Sequence, residues 1–209
     1  MNLSGTLNVF KLLRDPALCL PHHSCATFNQ LPVPLSKAFA EKGGDIRAVV
    51  LDKDNCFAVP HANEVYSEYK DKFAELRKAY PGSKLLIVSN TAGTASDIKY
   101  AEADLLERNT GVKVLHHNVK KPGCRAEVLD YFRNAKDAGV TSPSQIAVVG
   151  DRLFTDVMMA NLMGSRGFWI TEGVIGKEKL SFFAKVEHRL AAFLLQRGYS
   201  APEPKSDLD

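Results

Sequence analysis

Apolar runs of strand length recur along this chain, and each is followed by a segment of helical character. The clearest runs cover residues 46–52 (IRAVVLD), 84–90 (KLLIVSN) and 145–151 (QIAVVGD), with weaker ones at 113–118 and 167–171. Helices are predicted between them, over 64–80, 95–109, 123–138 and 153–163. Strands that are apolar throughout are covered on both faces, so this alternation predicts an α/β fold. We expect a doubly wound, Rossmann-like parallel sheet with helices on both faces.

The first 45 residues differ from the rest of the chain. They contain no acidic residue before Asp15 and none between Asp15 and Glu41. Four apolar residues recur at helical spacing, and Pro16 should end that helix: Leu3, Leu7, Phe10 and Leu13. Such a basic, roughly amphipathic helix either docks on the core, or lies in a membrane interface or forms part of an organelle address, and the sequence does not separate these readings.

The predicted organisation has three parts. Residues 1–45 form the helix and a loop with possible membrane contact, residues 46–197 form the α/β domain, and residues 198–209 form a disordered tail. The last helix, at 178–197, is expected to pack on the domain. It carries apolar residues on one side, namely Leu180, Phe183, Val186, Leu190 and Phe193.

Composition excludes several classes of protein. The net charge of +3 does not call for a nucleic-acid partner. The four cysteines form no CxxC pair, so neither a zinc site nor a disulfide framework is expected. No apolar run approaches the roughly 20 residues that a transmembrane helix needs, so none is predicted.

Acidic residues follow two of the strong strands. Asp52 ends the run at 46–52 and is followed closely by Asp54, and Asp151 ends the run at 145–151. Asp156 lies near the start of the next helix. The carboxyl ends of parallel strands meet at one edge of a sheet, where ligands bind. Two carboxylates at i and i+2 repel each other unless a cation lies between them, and Mg²⁺ suits such oxygen ligands. The alternatives are turn chemistry for the DxD and a helix N-cap for Asp151.

Groups suited to binding phosphate lie at the end of the run at 84–90 and just after the weaker run at 113–118. Ser89 and Asn90 lie where a strand gives way to a loop, and their polar groups can hold phosphate oxygens. Lys120 and Lys121 precede Pro122, and a lysine beside carboxylates can neutralise a phosphoryl group. Taken singly, these signals are also those of ordinary turns and of a solvated surface.

Together these four groups of polar residues, in this order along the chain, resemble the motifs of the haloacid dehalogenase superfamily of phosphotransferases. Its DxDx(T/V) motif is matched by residues 52–56, with Cys56 in place of Thr or Val. Its Ser or Thr is matched by Ser89, and its lysine is best matched by Lys121. Its acidic GDxxxxD motif is matched by Gly150, Asp151 and Asp156. Only 32 residues separate Cys56 from Ser89, and 31 separate Ser89 from Lys121, so no sizeable cap domain is expected.

A closer resemblance is to the mitochondrial phosphatidylglycerophosphate phosphatases of fungi. It is carried by the strings NLSGTLN, VVLDKDNC, LLIVSNTAG, KKPGC and VVGDRLFTDVMMANLMGS. This resemblance implies a peripheral enzyme at the matrix face of the inner mitochondrial membrane. It would hydrolyse a phospholipid substrate to phosphatidylglycerol, on the route to cardiolipin. The alternatives are the same chemistry on a soluble metabolite or phosphoprotein, and a non-catalytic binding module.

The resemblance also implies the role of each residue. Asp52 is the nucleophile and forms an aspartyl-phosphate, and Asp54 is the general acid and base. Mg²⁺ is held by the Asp52 carboxylate, the Asp54 carbonyl and Asp151. Phosphate oxygens are held by Ser89, Asn90 and Lys121, while Asp156 and Lys120 have supporting roles.

Overall fold

The computed structural model describes residues 11–176 and 182–205, and its centre is a six-stranded sheet. The strands run in the spatial order β1-β6-β5-β2-β3-β4, and every neighbouring pair is parallel. Their bounds are β1 His23–Cys25, β2 Ala48–Leu51, β3 Leu85–Ile87, β4 Lys113–Val114, β5 Ile146–Gly150 and β6 Arg166–Ile170. This open parallel sheet confirms the predicted fold class.

Helices cover both faces of the sheet. They are α1 Lys70–Ala79, α2 Ala101–Thr110, α3 Arg125–Asn134, α4 Met158–Met163 and α5 Phe182–Gln196. Successive side chains of a strand point to opposite faces, so a fully apolar strand serves two cores. Accordingly, Val49 and Leu51 of β2 pack in a core with α1 and α2, whereas Ala48 and Val50 pack in another with α3 and α4.

The segment before β2 belongs to the domain, so the predicted boundary at residue 46 is misplaced. β1 pairs with β6 at the edge of the sheet, and Phe28 and Leu35 are fully buried in the core. Sequence patterning missed β1 because this three-residue strand is only partly buried and carries no apolar run. The predicted N-terminal helix falls largely on residues 1–10, outside the described residues. Its described part, 11–14, is helical and ends before Pro16.

The C-terminal helix packs on the domain through a different side from the predicted one. Its buried residues are Ala184, Glu187, Ala191 and Leu194. Of the predicted apolar side, Leu190 is partly buried and packs against this core, whereas Phe183, Val186 and Phe193 are exposed and Leu180 lies outside the described residues.

The beginning of the tail is bonded to the domain rather than disordered. The Lys205 N–H donates to the Gly164 carbonyl at 2.9 Å, and the Pro202 carbonyl lies 2.8 Å from the His22 ring. Residues 206–209 lie outside the described part of the chain.

The order of the strands creates a switch point between β2 and β5. From β2 the chain proceeds to β3 and β4 on one side, then returns to place β5 and β6 on the other. Ligands of open α/β sheets bind beyond the carboxyl ends of the strands at such a point. Residues 57–120, all of them described, hold α1, β3, α2 and β4 and no cap domain. Among the described helices, none is long and apolar enough to cross a membrane.

Candidate active site

Three carboxylates meet at the switch point. Asp52 follows β2 directly, Asp151 follows β5 directly, and Asp156 returns to the same place from the π-helical turn Leu153–Val157. One carboxylate oxygen from each lies within 4.8 Å of the other two. Residues 99 positions apart in the sequence, Asp52 and Asp151, thus become neighbours because their strands pair.

Lys121 is the cation of this cluster. Its side chain is buried, and its Nζ donates to Oδ1 of Asp52 and, at 2.6 Å, to Oδ1 of Asp156. Lys120 is exposed. The structure therefore places Lys121, and not Lys120, beside the carboxylates.

Asp156 reaches the cluster because Gly150 leaves room for it. A Cβ on Gly150 would lie 2.3 Å from Cγ of Asp156, which no real side chain allows. The other oxygen of Asp156, Oδ2, accepts from the Arg152 N–H at 3.1 Å. Both oxygens of Asp156 are thus engaged, one by Lys121 and one by the backbone.

Asp54 lies beside the cluster with its carboxylate held from both sides. Its Oδ1 accepts from Lys53 Nζ and from the His61 N–H, each at 2.7 Å. Its Oδ2 accepts from the Thr91 hydroxyl at 3.1 Å. Lys53 is itself fully buried, a role that no sequence pattern indicated.

The two predicted phosphate-binding residues after β3 are placed differently. Asn90 lines the cavity, and its Oδ1 accepts from the Lys121 N–H at 2.8 Å, which fixes the loop that carries the lysine. Ser89 is fully buried, and its hydroxyl lies 2.8 Å from that of Thr91. The structure therefore brings Asn90 to the cavity surface and leaves Ser89 behind it.

Asn55 is a site residue whose role the sequence did not indicate. Its Nδ2 donates to Oδ2 of Asp151 at 2.8 Å, and its Oδ1 accepts from the N–H groups of Val174 and Ile175. Its φ of 60° is a left-handed conformation, which Asn tolerates better than most residues. An Asn directly after the DxD pair was the available signal.

The cluster carries surplus negative charge. Burial raises the pKa of Asp52 to about 7, against the attraction of Lys121 and with help from the neighbouring carboxylates. Burial, and then the charges of Asp52 and Asp156, raise the pKa of Asp151 well above its usual range. Asp156 and Asp52 outweigh burial and raise the pKa of Lys121. Fully ionised, three carboxylates and one ammonium leave a net charge of −2.

That arrangement fits a divalent cation with oxygen ligands. A charge of −2 balances one Mg²⁺, which takes carboxylate and carbonyl oxygens in proteins. Because both Asp156 oxygens are already engaged, Asp52 and Asp151 are the carboxylates available to a metal.

Asp54 differs from its neighbours in its charge balance. Although burial acts to raise its pKa, the hydrogen bonds from Lys53, the His61 N–H and Thr91 outweigh burial and lower it.

Cys56 is fully buried, and burial followed by the nearby carboxylates raises its pKa well above its usual range. A thiol of that kind is a poor nucleophile.

The carboxylates of Asp52, Asp54 and Asp151 and the Lys121 side chain line one cavity of about 310 Å³. Its lining combines carboxylates, a lysine, an arginine and two amides with a few small or apolar side chains. The lining residues are Asp52, Asp54, Asn55, Asn90, Lys121, Asp151, Arg152, Thr155, Ile175 and Ala184. The arrangement can bind a phosphate group, present a carboxylate to it and exchange a proton through Asp54.

Comparison with known proteins gives a consistent result. The family model described as mitochondrial PGP phosphatase matches residues 3–175. Phosphatidylglycerophosphatase GEP4, mitochondrial, from Saccharomyces cerevisiae is 50% identical over 194 residues, covering 93% of this chain and 99% of that protein. The probable phosphatidylglycerophosphatase, mitochondrial, from Schizosaccharomyces pombe is 34% identical over 178 residues, covering 83% and 84%.

A solved structure, that of an uncharacterized protein from Listeria monocytogenes serotype 4b, is 18% identical and covers 72% of this chain and 99% of its own. Its TM-score of 0.42 is too low to support an argument about function. The sequence relationships are strong, and they confirm the resemblance drawn from the motifs. The chain belongs to the mitochondrial PGP phosphatase family, a family of phosphoric monoester hydrolases.

Proposed function

We propose that this protein hydrolyses phosphatidylglycerophosphate to phosphatidylglycerol, a step towards cardiolipin, in a Mg²⁺-dependent reaction at the matrix face of the inner mitochondrial membrane. The observation that carries the chemistry is the meeting of Asp52, Lys121 and Asp151 beside Asp54 at one cavity. The substrate follows from the names of the relatives, which are phosphatidylglycerophosphatases.

In this proposal Asp52 is the nucleophile. Its carboxylate attacks phosphorus, the bond to the lipid oxygen breaks, and an aspartyl-phosphate forms. Lys121 orients the Asp52 carboxylate through its hydrogen bond and offsets the negative charge that approaches with the phosphate. Asp156 holds Lys121 from the other side.

Asp54 moves the protons. It protonates the departing lipid alkoxide and then takes a proton from the water that hydrolyses the aspartyl-phosphate. An incoming phosphate dianion adds negative charge beside Asp54, which favours the protonated carboxyl that the first step requires. Lys53, His61 and Thr91 hold the carboxylate at the cavity throughout.

The remaining groups bind the metal and the phosphate. Mg²⁺ would be held by the carboxylates of Asp52 and Asp151 and by the Asp54 carbonyl, and Asn55 orients Asp151. The ion supplies a positive charge that lowers the repulsion between the nucleophile and the phosphate dianion. Asn90 and Lys121 bind phosphoryl oxygens, and Ser89, which lies behind the cavity surface, supports them through its contact with the Thr91 hydroxyl.

A phosphate-release assay on vesicles that contain phosphatidylglycerophosphate tests this function. We expect turnover with Mg²⁺, none with EDTA, and recovery when Mg²⁺ is restored. Ca²⁺ should replace Mg²⁺ poorly, because it prefers more ligands and longer bonds. Full activity without metal, or faster hydrolysis of glycerol 3-phosphate or a phosphopeptide than of the lipid, would contradict the proposal.

A further inference from the structure

The exposed surface of α5 is unusually apolar. Among the described residues, five of the eleven large apolar side chains that are exposed lie on this one helix, namely Phe182, Phe183, Val186, Phe193 and Leu195. Phe182 and Phe183 are 75% and 67% exposed. We call the exposed surface made by Phe182, Phe183, Val186, Arg189 and Phe193 the outer face of α5. Clusters of exposed apolar side chains mark surfaces that contact a partner or a membrane.

The charges exposed on this helix and just after it are all positive. Lys185, Arg189 and Arg197 are exposed, and the Arg197 guanidinium lies 4.5 Å from the centre of the Phe193 ring. The single acidic residue of α5, Glu187, is buried and accepts hydrogen bonds from Arg152. A helix with an apolar, basic face and no exposed acid complements an anionic surface.

The outer face is continuous with the active site. Ala184, in the first turn of α5, lines the cavity together with Asp52 and Asp151, and Phe182 and Phe183 precede it directly. At about 310 Å³ the cavity is near the lower limit for small-molecule sites. A phosphorylated headgroup fits such a volume, but two acyl chains do not, so the chains must stay outside the cavity.

We propose that the outer face of α5 docks on an anionic lipid bilayer and holds the mouth of the catalytic cavity at the headgroup level. This inference rests on the proposed function, since it explains how a small cavity reaches a phosphate that is attached to a membrane lipid. Phe182, Phe183, Val186 and Phe193 enter the boundary between headgroups and acyl chains. Lys185, Arg189 and Arg197 lie beside anionic headgroups. A second copy of the chain is a poorer occupant, because a symmetric contact would bring the same basic residues together.

Co-sedimentation of the full chain with phosphatidylcholine vesicles, with and without phosphatidylglycerol, tests the docking. Arg189→Glu and Phe193→Glu change the outer face at positions that do not line the cavity. Matched controls on α2 are Arg108→Glu, also exposed, and Leu105→Glu, whose side chain is 40% exposed against 48% for Phe193. Melting temperature and hydrolysis of p-nitrophenyl phosphate are measured on the same preparations.

We expect the wild type to bind vesicles that contain phosphatidylglycerol and to be released by salt. Each α5 variant should bind at least about tenfold more weakly, while both controls bind like the wild type. Melting temperature and p-nitrophenyl phosphate hydrolysis should not change. Equal binding by the α5 variants and the controls, or no binding by the wild type, would overturn the docking. So would light scattering in which the α5 variants dissociate a wild-type oligomer but still bind vesicles.

The two proposals fail in different ways. Failure of the wild type to bind the vesicles, with continued hydrolysis of phosphatidylglycerophosphate in detergent micelles, would overturn only the membrane face. Vesicle binding without any hydrolysis of that lipid, in vesicles or micelles, would overturn the proposed function and leave the docking intact.

Discussion

A buried ammonium between two carboxylates is the feature on which the site depends at the scale of single residues. Lys121 contacts Asp52 and Asp156, and all three are buried, so removing the lysine leaves two buried carboxylates without their cation. Sequence reasoning reached the pair of lysines, and the motif resemblance favoured Lys121, but the residues themselves did not separate the two. Lys120 and Lys121 share nearly the same neighbours in the chain, and only the path of the loop after β4 buries one and exposes the other.

Replacing each lysine in turn tests that assignment. Lys121→Met should abolish turnover and lower the free energy of unfolding by about 3 kcal/mol, since it breaks a buried ion pair. Lys120→Met, the matched control, should change stability by no more than about 0.5 kcal/mol, as expected for an exposed side chain. Chemical denaturation and phosphate release on one preparation measure both effects. A larger loss of activity in Lys120→Met than in Lys121→Met would reverse the assignment.

The raised pKa values predict how metal binding depends on pH. The pKa of Asp52 lies near 3.8 as a free carboxyl, and burial raises it to about 7 in the folded protein, so the folded state binds more protons between these values. The contribution of Asp52 to stability therefore falls as pH rises from about 4 to about 7. Mg²⁺ competes with these protons, so its binding should be stronger at high pH.

The increase in melting temperature caused by Mg²⁺ should accordingly be larger at about pH 8 than at about pH 5.5. Thermal unfolding with EDTA and with Mg²⁺ at each pH measures it. Asp52→Asn should show a smaller increase at the higher pH, since it removes one ligand charge. An increase of the same size at both pH values would mean that these carboxyls do not bind the ion.

At the scale of helices and strands, the apolar patterns located most elements but not how they face. The runs at 46–52 and 145–151 gave β2 and β5 within about two residues at each end, because strands buried on both faces are apolar throughout. β1 has no such run, since an edge strand of three residues packs only in part.

In α5 the larger apolar side chains face outwards. The domain binds this helix through Ala184, Ala191 and Leu194, together with the pair of Glu187 and Arg152, which lie 35 residues apart in the chain.

The ion pair between Glu187 and Arg152 should be an anchor of α5. Two oxygens of Glu187 accept from the Arg152 guanidinium at 2.9 to 3.2 Å, and one also accepts from the Leu153 N–H at 3.1 Å. Glu187→Gln should lower the free energy of unfolding by about 2 kcal/mol, because charged hydrogen bonds are replaced by weaker ones in a buried place. Lys185→Gln, exposed on the same helix, should change it by less than about 0.5 kcal/mol. Urea denaturation distinguishes them, and equal effects would argue against the anchor.

For the whole molecule, the topology turns distant motifs into one site. The position of Asp52, Asp54 and Asp151 at the ends of predicted strands was enough to predict that they converge, because parallel strands bring their carboxyl ends to one edge of the sheet. They could not show that residues 16–45 belong to the domain or that the chain near Lys205 bonds back to it. Those contacts join segments far apart in the sequence and leave no local pattern.

We propose Asp52 as the nucleophile of a Mg²⁺-dependent phosphatase acting on phosphatidylglycerophosphate. The direct test is phosphate release from vesicles of this lipid by the wild type and by Asp52→Asn, both purified and loaded with Mg²⁺. The substitution keeps the shape of the side chain, removes the attacking charge and relieves crowding among the carboxylates. We therefore predict a folded protein, at least as stable as the wild type, with no measurable turnover. Turnover by Asp52→Asn near the wild-type rate would contradict the account.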